Sequence, residues 1–192
     1  MFSGGVAPIR TPADLSGRRV ATSDVILQML IDRNGGAAVA MPVTDWAISM
    51  STGVIDAGIM HINTMRAFGV LDFADTAIII DGGFVTGVMG FVFSAQVWDS
   101  LPADIQQLFL DEATNIRDNQ ASHNLYMAEN HERWFRGERE AEYVYLTDAE
   151  VAQWHEAVSG VVDEFLGNME TLGGTQVREL YTAVQRLVAA RS

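Results

Sequence analysis

Between Pro12 and Ile80 the chain repeats one pattern: a short apolar run that reads as a strand, a turn signal, then a segment whose apolar residues recur at helical spacing. Strands separated by helices do not pair as hairpins. Each helix carries the chain back to the same end of the sheet, so the pattern predicts a mainly parallel sheet covered on both faces. Thr11-Pro12-Ala13-Asp14 reads as an N-cap, a proline at the first helical position and an acid in the first turn, with Gly17 ending that single turn. Strand Arg18 to Thr22 follows. Residues 24–33 place Ile26, Leu27, Leu30 and Ile31 on one helical face, and Asn34-Gly35-Gly36 stops the helix. Ala37 to Met41 is the next strand, Thr44 is expected to cap a helix through Met50, and Gly53 takes the left-handed position after it. Asp56 to Met60 is a strand of small residues, His61 to Asp72 reads as helical, and Thr76 to Ile80 as another strand.

Gly82-Gly83 then opens FVTGVMGFVFS, rich in strand formers but interrupted by Gly87 and Gly90, as at a bend or close backbone approach. Pro102 starts a long helix that reaches Arg136 by its apolar spacing. Tyr143 to Leu146 reads as a short strand. Thr147-Asp148-Ala149-Glu150 is a capping box opening a helix that carries Val151, Trp154, Val158, Val161, Val162 and Phe165. Thr175 is expected to cap a last helix with Val177, Leu180, Tyr181, Val184, Leu187 and Val188.

Composition removes several classes of function. With 48% hydrophobic residues in 192, the chain can bury a substantial core. A net charge of -13 leaves no basic stripe for phosphates, which argues against nucleic-acid binding. The absence of cysteine excludes disulfides, thiolate zinc sites and a cysteine nucleophile. The apolar runs are too short and glycine-broken for a membrane span, which needs about 20 residues. The opening MFSGGVAPIR lacks the charged and apolar regions of a secretory signal.

Catalytic and cofactor signatures are also missing. His123 and His131 stand two helical turns apart, ~12 Å, too far for one metal ion. His131-Glu132 has no second histidine four residues on, the glycine pairs fit neither phosphate-binding loop, and no G-x-S-x-G elbow occurs. The expectation is a chain without cofactor, metal or catalytic residues, and not an enzyme.

Two stretches carry a resemblance. PADLSGRRVA matches a pattern close to "tPaDLkGlKiR", and MPVTDWAISMSTGVIDAG one close to "sEvy.ALqtGvvDG"; VWDSLPADIQQLFLDEA adds a "W..LP.d.q" segment. Together they resemble the DctP-type solute-binding proteins of TRAP transporters. The matching positions include Pro12, Asp14, Leu15, Gly17, Arg19 for a lysine, Pro42, Asp45 for a glutamate, Gly53 and Asp56. The resemblance implies a periplasmic-binding-protein-like (type II) α/β fold: a three-layer lobe with a hinge strand and long C-terminal helices. It implies a division into a ligand-binding lobe (1–82), a hinge strand and connection (83–100), and a long back helix with C-terminal helices (101–192). Members normally begin with a signal peptide and an N-terminal lobe, so the chain is expected to be the C-terminal portion of such a receptor.

The implied function is capture of a small organic anion, carboxylate-like, and its delivery to the membrane permease subunits of a TRAP transporter from the periplasm. Nucleic acid is not an expected partner. A homodimer through the helices is among the expected partners, and the alternative is a non-binding fragment or a self-associating module. The resemblance places the ligand wall at Ser23, Asp24, Val43, Thr44, Met60, His61 and Asn63. It also implies an arginine on the strand after the first glycine turn, where this chain has Ala21. A guanidinium there would give a carboxylate two charge-assisted hydrogen bonds. Without it, simple dicarboxylates are expected to bind weakly, and Ala21→Arg to strengthen them.

Overall fold

The computed structural model describes residues 1–80, 92–174 and 176–190. Strands β1 (Phe2–Ser3), β2 (Arg19–Ala21), β3 (Ala37–Val39), β4 (Ala57–Gly58), β5 (Thr76–Ile79) and β6 (Glu142–Tyr145) form one sheet in the order β3-β2-β4-β1-β5-β6. The β2–β3, β2–β4 and β5–β6 pairs are parallel. Among the described residues, only β1, between β4 and β5, runs antiparallel to its neighbours. The helices are α1 (Val25–Arg33), α2 (Trp46–Ser51), α3 (Ile62–Ala67), α4 (Ala95–Ser100), α5 (Ala103–Gly137), α6 (Asp148–Thr171) and α7 (Val177–Ala189).

Alternation along each strand sorts the core into two layers. On one side, Val20, Ala57 and Ile78 pack with Leu27, Leu30 and Ile31 of α1 and Trp154 and Val161 of α6. On the other, register places Val39, Ala21, Gly58, Phe2, Ala77 and Tyr143 in one row across all six strands. This row meets Trp46 and Met50 of α2, Met65 of α3 and Phe135 of α5. The three layers expected from the alternation of strands and helices are therefore present. Size is matched across the row: Ala21 and Gly58 are small where Trp46 lies, while Phe135 meets Phe2 and Tyr143 edge-on at centroid distances of 5.9 and 5.8 Å.

The local signals read from the sequence act as expected at several ends. Gly17, Gly35 and Gly53 have φ of 73°, 77° and 68°, the left-handed conformation required there. Thr147 accepts from the Glu150 backbone N–H while the Glu150 side chain accepts from the Thr147 N–H, closing the capping box. Glu150 also holds Arg10 at 2.6 and 3.0 Å; that guanidinium, with help from Thr147, keeps the carboxyl at about 2.

Two expectations need correction, and two placements were not anticipated. Thr44 is no cap: Val43–Asp45 is a 3-10 turn, and the Thr44 hydroxyl meets only the Asp45 carboxylate at 3.3 Å. The stretch from His61 to Asp72 is not one helix, because Gly69 at φ 70° divides α3 from a 3-10 turn over Val70–Asp72. The opening residues, read only as lacking a leader pattern, supply β1 at the middle of the sheet. The strand at 142–145 belongs to the same sheet as the lobe, on the edge beside β5. The glycine-broken run from Gly82 and the Thr175 cap lie outside the described residues, except that Val92, Phe93 and Ser94 are described.

Glu140, in the turn between α5 and β6, has φ 53°. A side chain in that region costs about 1–2 kcal/mol, and glycine returns somewhat less than this through unfolded-chain entropy. Glu140→Gly should therefore raise stability by about 0.5 kcal/mol, or roughly 1–2 °C. A lower melting temperature would contradict this account of the turn.

Candidate functional site

In an open α/β sheet the carboxyl ends of parallel strands, where helices begin, form the natural ligand wall. In this lobe β3, β2 and β4 are adjacent and end on one side, followed by residues 40–45, 22–24 and 60–63. The structure brings Ser23 and Asp24, Val43 and Thr44, and Met60 and His61 to these three neighbouring ends.

Most of their polar groups already serve the backbone. Asp24 is the N-cap of α1, its Oδ1 accepting from Ile26 N–H at 2.9 Å and Leu27 N–H at 3.0 Å. His61 is the N-cap of α3, its Nδ1 accepting from Asn63 N–H at 3.2 Å. Asn63 faces α5: its amide donates to the Asn124 carbonyl at 3.2 Å, and its Oδ1 lies 3.0 Å from His131 Nδ1. Burial, with Arg66 and His61 nearby, holds the His131 imidazole below its usual range. Ser23 and Thr44 are exposed.

Apolar groups complete the wall: Val43 and Met60, already expected there, are joined by Met41 and Ile62, which the resemblance did not name. Met41, Val43, Met60 and Ile62 are partly buried and pack on the cluster around Trp46. The Trp46 indole N–H donates to the Met41 carbonyl at 3.2 Å, fixing the loop after β3 on the ring below it. The signal available in the sequence was the pairing of a tryptophan at 46 with glycine at 58. Its meaning depends on strand register.

Ala21 is fully buried on this same side of the sheet. Arg19, two residues earlier, is no substitute. Its guanidinium lies 2.6 and 3.0 Å from the Asp56 carboxylate, whose pKa this contact lowers, and its N–H donates to Asp56 at 2.8 Å. This pair joins the starts of β2 and β4, away from the wall.

Comparison with known proteins agrees with this architecture. The sequence model of the bacterial extracellular solute-binding protein family 7, DctP, matches residues 1–168. The chain belongs to this family. Among solved structures, a TRAP periplasmic solute-binding protein from Desulfovibrio salexigens with bound orotic acid is similar with a TM-score of 0.79 and 18% identity, over 98% of this chain and 58% of that one. The ectoine-binding protein of the Halomonas elongata TeaABC TRAP transporter aligns at 0.73 and 17%, covering 86% and 54%. A Shewanella oneidensis TRAP periplasmic solute-binding protein with bound succinate aligns at 0.73 and 18%, covering 85% and 53%. At such identities these likenesses speak to the fold. This family 7 chain spans 53–58% of the length of these three structures. No curated protein matches the sequence.

Proposed function

We propose that this chain is a ligand-binding lobe of an extracytoplasmic solute receptor that captures a small organic anion and hands it to the membrane permease of a TRAP-type transporter. The observation that carries the reading is the family match over residues 1–168, laid on a lobe whose parallel strands β3, β2 and β4 end together in an open wall. The bound orotate and succinate of similar structures make organic acids the first candidates. Ser23, Asp24, Val43, Thr44, Met60 and His61 are the proposed contact residues, and Asn63 acts through its hold on α5. In this reading the three-way division at 1–82, 83–100 and 101–192 is one of role, since β6 of the last segment pairs with β5 of the first. The chain binds and releases its solute without chemistry, in the periplasm, and no described helix is long and apolar enough to cross a membrane.

Thermal denaturation against a panel of small organic acids tests this. A ligand bound only by the folded state stabilises it by about 2.7 kcal/mol at a hundredfold excess over its dissociation constant, so at least one acid should raise the melting temperature by several degrees. A panel without any saturable shift would sink the proposal.

A second reading, self-association through the helices, is favoured by one specific observation. Leu108, Phe109, Leu110 and Ile116 on α5, and Leu180, Val184 and Leu187 on α7, are between 44% and 67% exposed. Single apolar residues at a surface are ordinary, but rows of them on long helices mark association surfaces. Light scattering at micromolar concentration should show dimers or larger species. A monomer at all concentrations would dismiss this reading and leave the first untouched.

A further inference from the structure

The wall at the strand ends has little to offer a ligand carboxylate. Residues 22–24, 40–45 and 60–63 include two aspartates, Asp24 and Asp45, and neither lysine nor arginine. The side chains of Asp24, His61 and Asn63 are engaged with the backbone and α5. On the α2 side the wall is apolar instead, with Met41, Val43 and Met60 partly exposed and continuous with the buried cluster beneath.

A cation cannot be supplied from below either. Ala21 is 0% exposed and lies in register with Gly58 on the neighbouring parallel strand. Side chains in register on parallel strands point the same way about 4.8 Å apart. Gly58 shows what fills that space: a Cβ built there would stand 2.9 Å from Trp46 Cε3 and Cζ3 and 2.9 Å from Met65 Cε. The methionine terminus can yield, but the indole, fully buried and held by its N–H to Met41, has nowhere to go. Ala21 and Trp46 belong to the same buried cluster, so a long side chain at residue 21 would have to displace part of that cluster.

From this packing we infer that the lobe receives the uncharged, apolar part of its ligand on a platform of Met41, Val43 and Met60 above the buried Trp46, and that it holds no carboxylate. The inference rests on the solute-receptor reading and names the ligand class for this side of it. Thioethers adapt to flat or irregular apolar groups and make favourable contacts with aromatic rings. A carboxylate set against Asp24 and Asp45 would be desolvated and repelled, so an anionic group in the same ligand must find its partners away from this wall. Ala21→Arg by itself then strengthens nothing, because it disrupts the core before it reaches the wall.

The test compares phenylacetate, a carboxylate with an aromatic end, with succinate, which has none, by melting temperature on the unmodified chain and on Met60→Gln. Phenylacetate should raise the melting temperature, Met60→Gln should remove most of that shift, and succinate should produce less than half of it. An equal or larger succinate shift on the unmodified chain would overturn the ligand class while leaving the receptor reading intact. If neither these compounds nor a wider panel of acids has any effect, the receptor reading fails and the ligand class with it. The packing around residue 21 has its own readout. Ala21→Arg and Gly58→Ala should each lower the melting temperature by about 5 °C or more in the native chain and by less than half as much beside Trp46→Leu. If Trp46→Leu does not fold, Trp46→Phe should relieve Gly58→Ala in the same direction. Strictly additive losses would show that Trp46 does not close position 21.

Discussion

Phe135→Ala is expected to destabilise the chain by about 3–5 kcal/mol, the range for removing a fully buried phenylalanine. The residue is 0% exposed, near the end of α5, and its ring meets Phe2 of β1 and Tyr143 of β6 edge-on. It therefore joins three segments far apart in sequence: the opening strand, the long helix and the edge strand. Loss should appear in urea denaturation as a lower midpoint at unchanged slope if the lobe and the end of α5 unfold together. A loss below about 1 kcal/mol would mean that α5 does not pack on the sheet as described.

The second large effect concerns Trp154 of α6. Its side chain is 1% exposed, lies in the cluster formed with Leu27, Leu30 and Ile31 of α1, and its indole N–H donates to the Arg10 carbonyl at 2.8 Å. Trp154→Ala removes a fully buried ring and is expected to cost about 3–5 kcal/mol. Trp154→Phe keeps most of the apolar contact but takes the indole donor from the Arg10 carbonyl, so it should cost less, about 1–3 kcal/mol. Urea denaturation of both variants checks this order. A loss below about 1 kcal/mol for Trp154→Ala would mean that α6 does not pack on the sheet as described.

Legibility followed the range of the interactions involved. Asp24 before an apolar helical face, Thr147 three residues before Glu150, and glycines at 17, 35 and 53 act through atoms within a turn of themselves, so their roles can be read without a partner. His61 as the cap of α3 and the break at Gly69 belong to the same class but were hidden inside an apolar run that suggested one continuous helix. The placement of Phe2–Ser3 in mid-sheet had no local signal, since two residues carry no period and their pairing partners lie more than fifty residues away. The site divides similarly. Strand ends at Ser23, Val43 and Met60 follow from the strand-helix order, whereas the turning of Asn63 towards His131 depends on where α5 comes to rest.

By itself, then, the sequence determined the alternation of strands and helices, the ends of most of them, the absence of thiol chemistry and the family. These depend on periodicity, on caps and on a motif read in order along the chain. Only the tertiary structure decided that Ala21, Gly58 and Trp46 form one unit, that Phe135 seals the row from Phe2 to Tyr143, and that the wall between Asp24 and Met60 is apolar on its α2 side. Residue spacing cannot convey this, because the pairing of 21 with 58 arises from strand register and the approach of Trp46 to Gly58 from close packing, in which the space left by a small residue is given meaning by whichever large one fills it.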